Sequence, residues 1–215
     1  MYVLHGHPLS SYFQKAAIAF YETGTPFRLE MLADLSDPAE RARFQALWPI
    51  GKMPVLEDTR RGRVVAESSI VIEYIATHEP GAARLLPKDP DEALRVRLMD
   101  RIFDLHVQAP MQRYSDYRRE VPGARDEAIP EAVKAQLATA YGFIEREIEG
   151  RAWAAGETFT MADCAAAPAL FYADRIVPLK DNHPKVAAYY ERLKARPGYA
   201  RALEESAPFL QYVPF

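Results

Sequence analysis

Runs rich in β-branched and aromatic residues stop early in this chain. "YVLHG" at residues 2–6, "PFRLEML" at 26–32, "MPVLED" at 53–58 and "RVVAES" at 63–68 read as strands, and beyond them no credible strand occurs. Four short strands followed only by helical patterns restrict the fold to a small α/β unit with an all-helical partner. Between the first two strands, "SSYFQKAAIAFYETG" reads as a helix with Phe13, Ala17 and Phe20 on one face and Gly24 as its stop. Strand, helix, strand is a βαβ unit, whose parallel strands need a crossover. After a polar, helix-prone stretch ending in "FQALWPIGK", the next two strands are separated by "TRRG", so a hairpin is the economical connection, and "SSIVIEYIATHEPG" follows as a helix. The order βαβ, then ββα, places helices on both faces of a four-stranded sheet.

The division expected is an α/β domain over residues 1–80, a linker over 81–88 in the Pro- and Gly-rich "EPGAARLLPKDP", and an all-helical domain over 89–215. In the second domain Asp89 and Pro90 supply a cap and a first-turn residue, and Leu94, Leu98, Leu105 and Ala109 keep near-helical spacing as its apolar stripe. Ile129, Val133, Leu137, Tyr141, Ile144 and Ile148 form another stripe, closed by Gly150; "TMADCAAAPALFYADRI" and "PKVAAYYERLKARPGYARAL" complete a bundle. Pro110 and Pro168 are expected to kink or interrupt their helices, since each lacks the backbone donor. Thr160 and Asp163 have capping-box spacing.

Composition narrows the function. Charged residues are 27% of the chain and interspersed in sign, with a formal net charge of −3, so there is no basic stripe for nucleic acid. The single cysteine, Cys164, excludes an internal disulfide and dithiol chemistry and fits a reducing cytoplasm. "MYVLHGHPL" has no leader character, and no apolar run reaches the roughly 20 residues of a membrane helix, so a soluble, unexported protein is expected. His5 and His7 alternate on one strand, but without a third ligand no metal is expected. Neither GxSxG, a Walker loop nor GxGxxG occurs.

What stands out is "HGHPLSSYFQK", where a strand meets a helix at two adjacent serines. One hydroxyl suffices to cap a helix. Together with "WPIGKMPVLED", "ESSIVIEYI", "TFTMADCAAAP" and "HPKVAAYYERLKARPGYARAL", in that order, this motif makes the chain resemble a soluble glutathione transferase over essentially its whole length, closest to the serine-type, bacterial-like classes.

That resemblance implies a thioredoxin-like N-terminal domain followed by a helical-bundle domain, glutathione as co-substrate without a metal, a small hydrophobic electrophile as partner, a role in detoxification, and a homodimer. It implies a cis bond before Pro54, with the backbone of Met53 pairing with the cysteinyl part of glutathione. Glu67 and Ser68 then correspond to the acidic residue and hydroxyl that hold the γ-glutamyl end. With Lys15 as the family's basic helix residue, Ser10 falls on the catalytic serine and Ser11 becomes the helix-capping or second hydroxyl. Lys52 is placed to pair with the glycyl carboxylate. A histidine that relatives carry in the preceding loop is missing from "SDPAERARF", leaving Arg41 or Arg43 as candidate substitutes. Phe103 and His106, with Met111 and Tyr114, are candidates for the electrophile pocket, which Phe209 and Tyr212 could close. The absence of a cysteine at the serine positions disfavours disulfide reduction. Glutathione-assisted isomerisation or dehalogenation, and a non-catalytic interaction module on the same fold, remain alternatives.

Overall fold

In the computed structural model, which describes residues 1–215, the first strand β1 (Tyr2–Gly6) is the centre about which the N-terminal half is built. It pairs in parallel with β2 (Phe27–Met31) and antiparallel with β3 (Val55–Asp58), which pairs antiparallel with β4 (Arg63–Ala66), giving the order β2-β1-β3-β4. Helix α1 (Ser11–Thr23) makes the crossover and stops at Gly24, whose φ of 66° is the left-handed conformation that glycine adopts without strain. Gly6 is required for a different reason. A Cβ there would lie 2.3 Å from the Phe13 ring, so the absence of a side chain lets α1 pack directly on the strand end. Helix α2 (Pro38–Leu47), capped by Asp37, covers a small cluster of Leu32, Phe44 and Val55, and α3 (Ser68–His78) packs against the other helices on the opposite side.

The expected linker is a packed 3-10 turn, Pro80–Leu85, with Ala82 and Leu85 fully buried. Beyond it run α4 (Pro90–Ile102), a π-helical segment (Phe103–Gln108) and α5 (Ala109–Arg119). Pro110 follows that widened turn directly, so the missing donor is absorbed by a change of winding. The helices α6 (Ile129–Glu147), α7 (Met161–Ala173), α8 (Leu179–Asn182), α9 (Pro184–Lys194) and α10 (Pro197–Ser206) complete the bundle, and a 3-10 turn, Ala207–Tyr212, leads into the tail. No helix is long and apolar enough to cross a membrane.

Two expectations are corrected. Pro168 does not interrupt α7, because every residue from Met161 to Leu170 is buried and that packing outweighs one absent hydrogen bond. The stripe on α4 faces outward: Leu94, Leu98 and Leu105 are 61%, 48% and 54% exposed, and the inward residues are Ala93, Val96, Met99, Phe103 and Val107. Around α7, whose alanines let α1, α4 and the π-helical segment approach closely, one apolar core runs without a break from the sheet into the bundle. The box at its start is present. Asp163 accepts from Thr160 N at 2.8 Å, and also from Ala154 N at 2.9 Å and Tyr189 Oη at 2.6 Å, tying a loop and α9 to the same carboxylate.

Candidate active site

The β1–α1 junction, the segment before β3, the start of α3 and the inner side of α4 enclose a cavity of about 830 Å³. Ser10, Lys52, Met53, Pro54, Glu67 and Ser68 all line it. A smaller cavity of about 330 Å³ shares Ser10, Tyr12, Met53 and Gln112 with the first, and extends past His7, Met111 and Tyr172 to Val213, Pro214 and Phe215 of the tail. Ser10 therefore stands where the two spaces meet.

Local structure explains how each group is presented. Ser10 is the N-cap of α1, its Oγ accepting from Phe13 N at 3.3 Å, so the oxygen serves the helix while the hydroxyl hydrogen has no acceptor within the chain. This corrects the assignment of the capping role to Ser11, which is the first helical residue, buried, and lines the smaller cavity only. Glu67 is the only non-glycine residue with positive φ, at 68°, a conformation that costs energy and is held by the strand and helix on either side. Directly after it α3 begins with no side chain capping its N–H groups, and these open on the larger cavity. The Met53–Pro54 bond is cis. Lys52 is exposed at the rim.

Behind the α3 start lies a buried charge cluster. Lys15, 1% exposed, places Nζ 2.7 Å from both Asp100 and Asp104 and donates to Ser69 Oγ at 2.8 Å, and Ser69 in turn donates to Asp100 at 2.8 Å. Arg101 reaches the same two aspartates from the cavity side. Burial pushes the Asp104 carboxyl up, against the pull of Lys15 and Arg101. Lys15 is thus a structural cation that clamps α1 and α3 to the bundle.

Several sequence candidates lie elsewhere. Phe103 is fully buried, 6.4 Å ring to ring from Tyr189, and lines neither of the two cavities at Ser10. His106 faces a separate groove of about 530 Å³ between the π-helical segment and α6. Arg41 and Arg43 are exposed on α2 and line none of these spaces, although Arg41 touches the carbonyl of Leu35, which does. Phe209 stacks edge-on against His7 at 4.7 Å, and Tyr114 packs on Phe215, so both act on the wall of the smaller cavity from outside. Tyr212 is 66% exposed.

Sequence reasoning missed Tyr12, which lines both cavities; burial, followed by the negative field of Asp104, pushes its phenol up to about 12, so it stays a neutral donor. It also missed Arg97, held bidentately by Glu73 at 2.8 Å through both nitrogens, and the pair Asp100 and Asp104. Arg97 and Asp100 share α4, but no local pattern in the sequence marks any of the four as facing the cavity.

Known proteins share this plan. The family "Glutathione S-transferase, N-terminal domain" matches residues 4–83, and "Glutathione S-transferase, C-terminal domain" matches residues 99–197. A glutathione S-transferase of Pseudomonas putida is 32% identical over 164 residues, spanning 76% of this chain and 70% of its own. FtsZ-localized protein A of Caulobacter vibrioides is 31% identical over 216 residues, spanning 96% and 92%. Among solved structures, a glutathione S-transferase of Methylobacterium radiotolerans in complex with glutathione sulfonate superposes with a TM-score of 0.80 at 27% identity, covering 94% of this chain and 93% of that one.

Proposed function

Starting from the chain's membership of the glutathione S-transferase family, we propose that it is a serine-type transferase that ionises the thiol of glutathione at Ser10 and directs it at a small electrophile held in the smaller cavity. The observation that carries this reading is the position of Ser10, at the amino end of α1 and on the boundary between two cavities. A cysteine-like thiol near pKa 8.5 is only a few per cent ionised at neutral pH, and lowering that value by about two units takes about 2.7 kcal/mol of preferential stabilisation of the anion. A serine hydroxyl is too weak an acid to serve as the base. It acts as a donor: one charge-assisted hydrogen bond to sulfur, added to the positive end of a helix, is of the required size.

The remaining contacts follow from the larger cavity. The uncapped start of α3 suits the γ-glutamyl carboxylate, and the carboxylate of Glu67 suits the ammonium beside it. Met53 and Pro54 stand where the cysteinyl backbone would pair, and Lys52 at the rim suits the glycyl carboxylate. One solved relative, in complex with glutathione sulfonate, supports this choice of ligand. A homodimer is part of the proposal, with the second copy placed against the outward apolar face of α4.

A non-catalytic interaction module is the second reading, favoured by the match along 96% of this chain to a protein named for its localisation with FtsZ. Retention on immobilised glutathione, followed by turnover of a panel of electrophiles that includes 1-chloro-2,4-dinitrobenzene and a carboxylated aryl halide, separates the two. The transferase reading expects both, with Ser10→Ala lowering kcat at least about tenfold while glutathione affinity changes far less. Binding without turnover in the unaltered protein moves the assignment to the interaction module.

A further inference from the structure

The smaller cavity has a chemically one-sided wall. His7, Met111, Tyr172 and Phe215 give it aromatic and thioether surface, while Gln112, Ser115 and Arg119 succeed one another along one side of α5. The Arg119 side chain, 56% exposed, donates from Nη1 at 2.9 Å to the hydroxyl of Ser115, which is 5% exposed. Its nearest carboxylate, Asp116, is 4.0 Å away and 63% exposed, a contact that solvent weakens. No Asp or Glu lines the cavity. Nor do the remaining titratable groups supply charge. Burial pushes the His7 imidazole down, while Tyr12 and Tyr172 are pushed up to about 12 by the same cause and stay neutral. The wall of this cavity thus carries one cation and aromatic surface, with no Asp or Glu among its lining residues.

We propose that the electrophile of this site carries an anionic group, a carboxylate above all, on an aryl or other apolar body, and that Arg119 selects for it. The inference rests on the transferase reading above and names the substrate class that reading leaves open. An arginine held at one nitrogen by a buried hydroxyl keeps its other N–H groups for the parallel pair of hydrogen bonds that a carboxylate accepts. The aryl body then lies between Met111, Tyr172 and Phe215, with its reacting carbon toward Ser10. A volume of about 330 Å³ confines the molecule to the small end of ligand size.

Two product-like conjugates test this without requiring turnover: S-(4-carboxybenzyl)glutathione and its uncharged counterpart S-(4-carbamoylbenzyl)glutathione, titrated by calorimetry against the unaltered protein and Arg119→Gln. The carboxylate should bind about tenfold more tightly than the amide, and the preference should fall to within about twofold in the variant. Unmodified glutathione, held in the larger cavity, should keep its affinity within about twofold, which also reports that the variant is folded. Equal affinity of the two conjugates in the unaltered protein, or a preference that survives in Arg119→Gln, overturns the inference while glutathione binding leaves the transferase reading standing. Failure of glutathione and both conjugates to bind overturns both.

Discussion

At Ser10 the lone pair and the proton of one hydroxyl have separate destinations: the oxygen accepts from the first turn of α1, and the hydrogen is left for a ligand. The family resemblance singled out this serine by its five-residue spacing from Lys15, and Met53, Pro54, Glu67 and Ser68 by the motifs around them; all five line one cavity, and each lies on a short stretch that such motifs describe. Tyr12, Arg97, Asp100 and Asp104 were not legible, since their entry into the cavity depends on how the bundle docks, which no local pattern states. Tyr12 is an alternative hydroxyl donor that lines both cavities. The two hydroxyls separate in the pH dependence of kcat/KM. A donor to sulfur holds the thiol pKa down, so removing it moves the acidic limb upward toward 8.5, by about one to two units for one hydrogen bond to a charge. Ser10→Ala should show that displacement, and Tyr12→Phe should leave the limb in place. The reverse pattern would transfer the role to the phenol.

For the elements, strands and most helices were readable from their periods and caps, as at Asp89 and Gly24. The apolar face of α4 was not, for a physical reason. Two faces of that helix carry apolar residues, and a π-helical segment at Phe103–Gln108 adds a residue to the turn, so a spacing counted at 3.6 does not carry through it. The junction of β3 with α3 offers a test of element packing. Asp58, fully buried at the end of β3, accepts from Tyr74 Oη at 3.0 Å, Arg61 Nη1 at 2.9 Å and Arg60 N at 3.0 Å. Burial alone pushes its carboxyl up, but these hydrogen bonds, led by that of Arg61, outweigh it and bring the pKa down to about 2. A folded value below the roughly 3.9 of a free aspartate contributes stability that is fully present above about pH 4 and is lost as pH falls toward 2. Asp58→Asn should therefore be less stable than the unaltered protein at neutral pH, by about 1–3 kcal/mol. Thermal melts at stepped pH should show that gap closing between about pH 4 and 2; a gap constant to pH 2 would contradict the assigned contacts.

On the scale of the molecule, the continuous core and the Lys15 cluster bind the two halves into one body, yet leave an apolar surface unexplained by that body. Single exposed leucines are ordinary. Here Leu94, Leu98 and Leu105 succeed one another along the α4 side, Leu105 shares the larger cavity with Ile70, itself 52% exposed, and Leu105 also meets Ile102 in the groove beside α6. Exposed apolar residues joined in this way mark an association surface. If the occupant is a second copy, the patch on each protomer meets its own equivalent about a two-fold axis, and the wall of the larger cavity formed by Ile70 and Leu105 lies at the interface. A charge on α4 should then act at two levels. Leu98→Glu, at an outward position that leaves the protomer core untouched, should reduce the mass found by light scattering from about twice the chain mass to near 24.3 kDa without lowering the melting temperature of the protomer. It should also weaken glutathione binding, because half the support for that wall is gone. An unaltered protein that already runs at the mass of one chain would remove the second copy from the proposal and leave the patch for another partner.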